Sequence, residues 1–175
     1  MLKPAVLLAL TLATPAAAGE IFAGVAAHGL DFGLVSGRYE GGTDLVAGAR
    51  SAPVARFLGA DVRLHVLGSV NLNHGVDFAA AGASLRFPFG GRFYIQPGLG
   101  VAIHDGSGAK YQVRDDRLYL GSRVLFEPEL ALGVQLSRRF AAEVAYVHLS
   151  HAQVFGGQNP GLDTLGGRLV YRFGR

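Results

Sequence analysis

Residues 120–136 read LGSRVLFEPELALGVQL, and the pattern repeats with period two. On an extended chain Leu120, Val124, Phe126, Leu130, Leu132, Val134 and Leu136 share one face. Arg123, Glu127, Glu129 and Gln135 share the other, together with the small residues Gly121, Ala131 and Gly133. A soluble sheet turns its charged face to water. Charges of both signs set among glycine and alanine suit a narrow interior, where the ions pair and little volume is left. The apolar face then meets a second apolar phase. If that phase is lipid, the sheet must close on itself, because hydrocarbon offers no partner to an open edge.

The same alternation recurs along the chain. Val62, Leu64, Val66, Val70 and Leu72 oppose Arg63, His65, Ser69 and Asn71. Phe93, Ile95, Pro97, Leu99, Val101 and Ile103 oppose Arg92, Gln96 and His104. Eight strands are expected, near 20–28, 43–50, 61–71, 76–88, 91–104, 120–136, 138–150 and 163–173. Connections near 30–42, 105–119 and 151–162 are long and rich in Gly, Asp or Ser. Those at FPFGGRF and LSRRF are tight, and only the stretch around 51–60 breaks the rule. Short turns at one end and long loops at the other are the habit of bacterial outer-membrane barrels. An even strand number puts both termini in the periplasm.

The fold class expected is therefore all-β, an eight-stranded antiparallel transmembrane β-barrel. Arg63, Arg123, Glu127, Glu129, Glu143 and Arg168 should point inward. A soluble secreted sandwich or binding barrel is the alternative, because alternation alone does not say which face is wet.

The N-terminus supports export. Lys3, the apolar run AVLLALTLA and the small residues of AAA at 16–18 form a secretory leader with cleavage after Ala18. Residues 1–18 are thus read as a signal peptide and 19–175 as one barrel domain. No later run is long enough for a helical span. Half of the residues are apolar and there is no cysteine, so neither a disulfide framework nor a thiolate metal site is available. The net charge is only +3, without a basic tract, which leaves nucleic-acid binding unsupported.

The stretch 148–165, HLSHAQVFGGQNPGLDTL, carries the chemistry. His148 and Ser150 share the outward face of the seventh expected strand, and Asp163 the outward face of the eighth. Glu143, Arg168 and Arg172 take the opposite parity. All three outward residues fall near the external rim. An ionisable group there costs on the order of 1–3 kcal/mol, depending on depth, so it marks either the water interface or a site. Serine needs a base for its proton, and histidine needs a carboxylate to hold its tautomer. His65 and His104 fall on the lumen face as hydrogen-bonded filler. His28 and His74 lie near strand ends without an assigned role.

At these residues the chain resembles the lipid A 3-O-deacylase family, outer-membrane esterases of PagL type. The family motif His-x-Ser-Asn appears as His148-Leu149-Ser150-His151, and its Asn-x-Gly and acid as Asn159-Pro160-Gly161-Leu162-Asp163. GSVNLNHG at 68–75, HDG at 104–106 and LGSRVLFEPELALG at 120–133 extend the likeness. The resemblance implies Ser150 as nucleophile, His148 as general base and Asp163 as orienting acid. It implies hydrolysis of the ester that holds a 3-hydroxyacyl chain at the 3-position of lipid A, taken from lipopolysaccharide in the outer leaflet of the bacterial outer membrane. It implies no metal and no cofactor. One departure stands out: His151 occupies the position of the family Asn, which is taken to serve the oxyanion. The non-enzymatic alternative is a small outer-membrane barrel whose motif has decayed at this position.

Overall fold

The structure, a computed structural model, describes residues 18–31, 40–109, 118–154 and 159–174. The expected leader lies outside the described residues except for Ala18. The strands are β1 (Gly19–His28), β2 (Gly42–Ser51), β3 (Ala55–Phe57), β4 (Ala60–Asn71), β5 (Phe78–Phe89), β6 (Phe93–His104), β7 (Val124–Gln135), β8 (Phe140–Leu149) and β9 (Leu162–Phe173). Every neighbouring pair is antiparallel. The β1–β9 and β2–β4 pairings close the sheet, so the wall is an eight-stranded barrel with β3 outside it.

β3 explains the irregular stretch at 51–60. It pairs with the start of β4 and prolongs that hairpin beyond the wall. Leu58 and Gly59 form its two-residue turn with φ of 50° and 81°. Positive φ at both central residues matches the right-handed twist of the flanking strands.

The register sets the tilt. Paired residues lead from Glu20 through Arg50, His65, Gly82, Gly100 and Glu127 to Leu149 and Leu162. Extending the β1–β9 register by two residues returns the path to β1 at Leu30, a stagger of 30 − 20, or ten residues. Eight strands with that stagger lie at roughly 40° to the barrel axis. Strands of ten to twelve residues then suffice to cross the hydrocarbon.

Parity follows the sequence pattern. Val25, Leu64, Leu99, Leu132, Val144 and Leu169 are exposed on the outer wall. Glu20, Arg50, Arg86, Glu129, Glu143 and Arg168 are buried in the lumen. There Arg50 donates to Glu143 Oε1 and Oε2 at 2.7 and 2.9 Å. Arg168 donates to Glu129 at 2.6 Å and to Glu143 at 3.0 Å, and Arg86 grips both oxygens of Glu20 at 2.6 and 2.7 Å. Tyr94 gives its hydroxyl proton to Glu143 at 2.7 Å. The guanidinium groups of Arg50 and Arg168 both stack on Phe22, at 4.7 and 4.5 Å from its ring centre. Gly133 leaves the room Tyr94 occupies, since a Cβ there would fall on the phenol ring. Charges that would each cost several kcal/mol alone are thus paired and hydrogen-bonded together.

Three residues depart from the expected parity. Leu120 is fully buried rather than lipid-facing, because β7 begins only at Val124 and Leu118 and Leu120 pack into the core. Arg123 precedes that strand, is exposed and donates to the Gly106 carbonyl at 2.8 Å. Arg92 belongs to a turn, exposed, and donates to the Gln135 carbonyl. Alternation in the sequence ran past the point where strand pairing stops.

Glu143 is the hub of the lumen network. Glu143→Leu should destabilise the barrel by about 3–5 kcal/mol, because it strands buried cations. Urea unfolding from lipid vesicles, followed by heat-modifiable gel mobility, would measure this. Glu143→Gln, which keeps an acceptor, should cost less.

Candidate active site

β8 and β9 place the three outward polar residues. In their register His148 lies opposite Asp163, just as Glu143 lies opposite Arg168 on the lumen side. Glu143 and His148 are five positions apart on one strand, so the two point to opposite faces. His148 Nδ1 lies 2.6 Å from Asp163 Oδ1, and both side chains are buried. With Nδ1 turned to the carboxylate, Nε2 is the ring nitrogen left to take a proton. A carboxylate on Nδ1–H fixes the tautomer whose Nε2 accepts a proton.

Ser150 stands two residues beyond His148 with the same parity and is 9% exposed. Its backbone is held from the other side by β7: Phe126 N–H donates to the Ser150 carbonyl at 2.7 Å, and Ser150 N–H to the Phe126 carbonyl at 3.2 Å. The Phe126 side chain shares that outer face. The chain therefore brings a hydroxyl, an imidazole and a carboxylate to one patch near the end opposite the termini.

Past Ser150 the chain leaves the sheet. Ala152 and Gln153 adopt positive φ, 49° and 64°. His151 is fully buried, and its backbone N–H donates to Asn159 Oδ1 at 3.0 Å. Gly161, at φ 71°, turns the returning segment into β9 two residues before Asp163. Asn159 thus ties the outgoing chain to the returning one, and Gly161 supplies a backbone angle that a residue with a Cβ resists.

A model of the protein family described as "Lipid A 3-O-deacylase (PagL)" matches residues 55–172. The chain belongs to this family. The matched span contains His148, Ser150, His151, Asn159, Gly161 and Asp163. Among solved structures, the chain is similar to the outer membrane enzyme PagL, with TM-score 0.64 and 19% identity over 89% of this chain and 99% of that one. It is also similar to the N-terminal β-barrel domain of Pseudomonas aeruginosa OprF, with TM-score 0.59 and 13% identity over 91% and 100% of the two chains. Neisserial surface protein A matches with TM-score 0.54 and 11% identity over 89% and 97%. At such identities these likenesses establish the shared barrel. No curated protein matches the sequence.

Inside the wall, directly behind His148 and Asp163, lies a network to which the sequence pattern assigns no role. His28 is the register partner of Thr164, the residue after Asp163, and Leu30 N–H donates to the Asp163 carbonyl at 3.1 Å. His28 Nδ1 lies 2.9 Å from Asp44 Oδ1. Asp44 also accepts from Ser69 Oγ at 2.7 Å and from Asn71 Nδ2 at 2.9 Å. The shared polar face of Ser69 and Asn71 was readable in the sequence; their convergence with His28 and Asp44 from three strands was not. The signal was too short-ranged, because each residue is only one polar position among many lumen positions.

Glu40 extends this network to the loops. Its Oε2 accepts from Val76 N–H at 2.8 Å and its Oε1 from Leu118 N–H at 2.9 Å, with His28 Nε2 3.5 Å away. One carboxylate thereby joins three connections at the end that carries the candidate site. Burial pushes the Glu40 carboxyl pKa up, but the His28 contact and the two backbone N–H groups outweigh it and hold the pKa below its ordinary value. A lowered carboxyl pKa contributes stability that is present above the ordinary value of 4.5 and lost as pH falls through the lowered one. Glu40→Ala should raise amide exchange at Val76 and Leu118 roughly tenfold at neutral pH, the loss expected of an ionic hydrogen-bond acceptor. In the unaltered protein the same two protection factors should fall on acidification below 4.5.

Proposed function

We propose that this chain is an outer-membrane esterase that removes the 3-hydroxyacyl chain from the 3-position of lipid A by Ser-His-Asp catalysis. The observation that carries the reading is the His148–Asp163 hydrogen bond of 2.6 Å on the outer wall, with Ser150 two residues along the same face. Family membership supports the reaction class, and the outer-wall position supports a substrate lying in the membrane. The termini then face the periplasm, the candidate site faces the outer leaflet, and residues 1–18 are a leader removed on export.

In the proposed cycle Ser150 Oγ attacks the ester carbonyl as His148 Nε2 takes its proton. Asp163 stabilises the resulting imidazolium through Nδ1–H. The tetrahedral intermediate collapses, the bond between the acyl carbon and the sugar's 3-oxygen breaks, and His148 returns the proton to that departing oxygen. Water, giving a proton to His148, then attacks the acyl-serine; the bond from the acyl carbon to Ser150 Oγ breaks, His148 returns the proton to Oγ, and a 3-hydroxy fatty acid leaves. His151 is the proposed oxyanion donor through its imidazole, because its backbone N–H is already given to Asn159. Loss of such a donor typically costs about 10²–10³ in rate. The substitution of His for the family Asn is also what favours the second reading, a barrel that keeps the architecture without the activity.

Mass spectrometry of lipid A from cells with and without the protein separates the two. Ser150→Ala and His148→Ala should each lower deacylation roughly 10⁶-fold, since nucleophile and base act as a unit, and Asp163→Asn roughly 10⁴-fold. All three should keep heat-modifiable mobility. His151→Asn should keep or raise activity and shift its pH profile. An inactive natural protein, together with an inactive but folded His151→Asn variant, would overturn the esterase reading.

A further inference from the structure

The barrel end that carries the termini differs from the end that carries the candidate site. The turns at 90–92 and 136–139 lie side by side there. Gln135 N–H donates to the Arg92 carbonyl at 2.7 Å, and Arg92 Nε to the Gln135 carbonyl at 3.2 Å. Arg172 N–H donates to the Arg139 carbonyl at 2.7 Å, which ties the second turn to β9. Arg92, Arg138 and Arg139 are therefore brought to one strip of the rim, and all three are exposed. No carboxylate side chain occurs within residues 89–93, 135–140 or 170–174. The rim's half-buried acid, Asp61, is paired with Arg56, while Glu20 is buried and held by Arg86 and Arg172.

Directly above this strip the outer wall turns aromatic. Phe89 and Phe93 stack with ring centres 6.0 Å apart, and Phe140 packs on Tyr171 at 5.2 Å. Phe89, Phe93 and Phe140 remain 52%, 49% and 41% exposed on the same wall that carries Leu132 and Val144. Aromatic rings of this kind sit at headgroup level. The arginines thus lie just beyond the hydrocarbon, where lipid phosphates lie.

We propose that the paired turns 90–92 and 136–139 bind the headgroup phosphodiester of an anionic phospholipid in the leaflet at the terminal end. Arg92, Arg138 and Arg139 meet the phosphate oxygens, and the acyl chains lie over the Phe89–Phe93 and Phe140–Tyr171 pairs. Charge complementarity selects an anionic lipid, because three guanidinium groups with no carboxylate beside them exceed what one zwitterionic headgroup neutralises. Continuity with the lipid-covered wall selects a membrane lipid over a soluble anion. The inference does not depend on the reaction proposed above, because none of these residues belongs to the candidate active site.

The test uses the full chain folded into symmetric phosphatidylcholine vesicles, or into the same vesicles containing phosphatidylglycerol. After gentle solubilisation, native mass spectrometry counts the lipids retained. Phosphatidylglycerol should be retained in preference, and Arg92→Gln/Arg138→Gln/Arg139→Gln should weaken the preference by about fivefold per arginine removed. Arg123→Gln, an exposed arginine at the other end, should leave it intact. Addition of inorganic phosphate should not displace the lipid. Equal retention of the two lipids would overturn the proposal. So would a preference that survives the triple change, one lost equally with Arg123→Gln, or displacement by free phosphate. If the triple variant does not fold, the unaltered protein decides: its preference must fall as salt is raised, since exposed charge pairs are screened.

Discussion

A backbone N–H in hydrocarbon has no water to bond to, and every other feature of this structure follows from that constraint. The only sheet that satisfies all its ladder bonds is one that closes. β1 reaches β9 on one side and β2 on the other, and β2 reaches β4, so no wall strand is left with a free edge. Eight strands with a ten-residue stagger enclose an interior only wide enough for side chains. What fills that interior is therefore decided by volume and charge, and what covers the outside by lipid.

The narrow lumen turns ionic residues from a liability into a filling. Glu143 receives Arg50, Arg168 and Tyr94, while Glu20 receives Arg86 and Arg172. Glycine and alanine on the same parity make room for the long arginines and for the Tyr94 ring. Toward the opposite end the filling changes to Leu67, Phe78 and Leu125, and then to the His28–Asp44–Asn71 network under the loops. The candidate site is mounted on the outside of that rigid plug. A hydroxyl, imidazole and carboxylate on adjacent strands keep their spacing because the ladder between β8 and β9 does not slip without moving Arg168 off Glu143.

The same parity gives the two ends different work. At one end the outward polar residues His148, Ser150 and Asp163 interrupt the apolar wall, and Phe126 is the backbone partner of Ser150. At the other the wall ends in aromatic pairs with arginines below them. Lipid is thus the solvent of the middle of the barrel, the proposed substrate at one rim and the proposed ligand at the other.

Side-chain direction was legible in the sequence because it is a local property. Alternate residues of a strand face opposite ways whatever the strand pairs with, so the inward Glu129, Glu143 and Arg168 and the outward His148, Ser150 and Asp163 could be sorted by counting. Where a strand ends is not local. Leu120 and Arg123 continue the alternation of β7, yet pairing stops at Val124, and only the folded chain shows Leu120 in the core and Arg123 outside. Register is not local either. His148 and Asp163 share a parity by sequence, but that they lie directly opposite one another, 2.6 Å apart, depends on how β8 and β9 align across the connection between them. Most distant from the sequence is the clasp of Glu40 with His28, Val76 and Leu118. Three connections meet there only because the barrel has closed, and no pattern along one strand records which residues stand across a lumen.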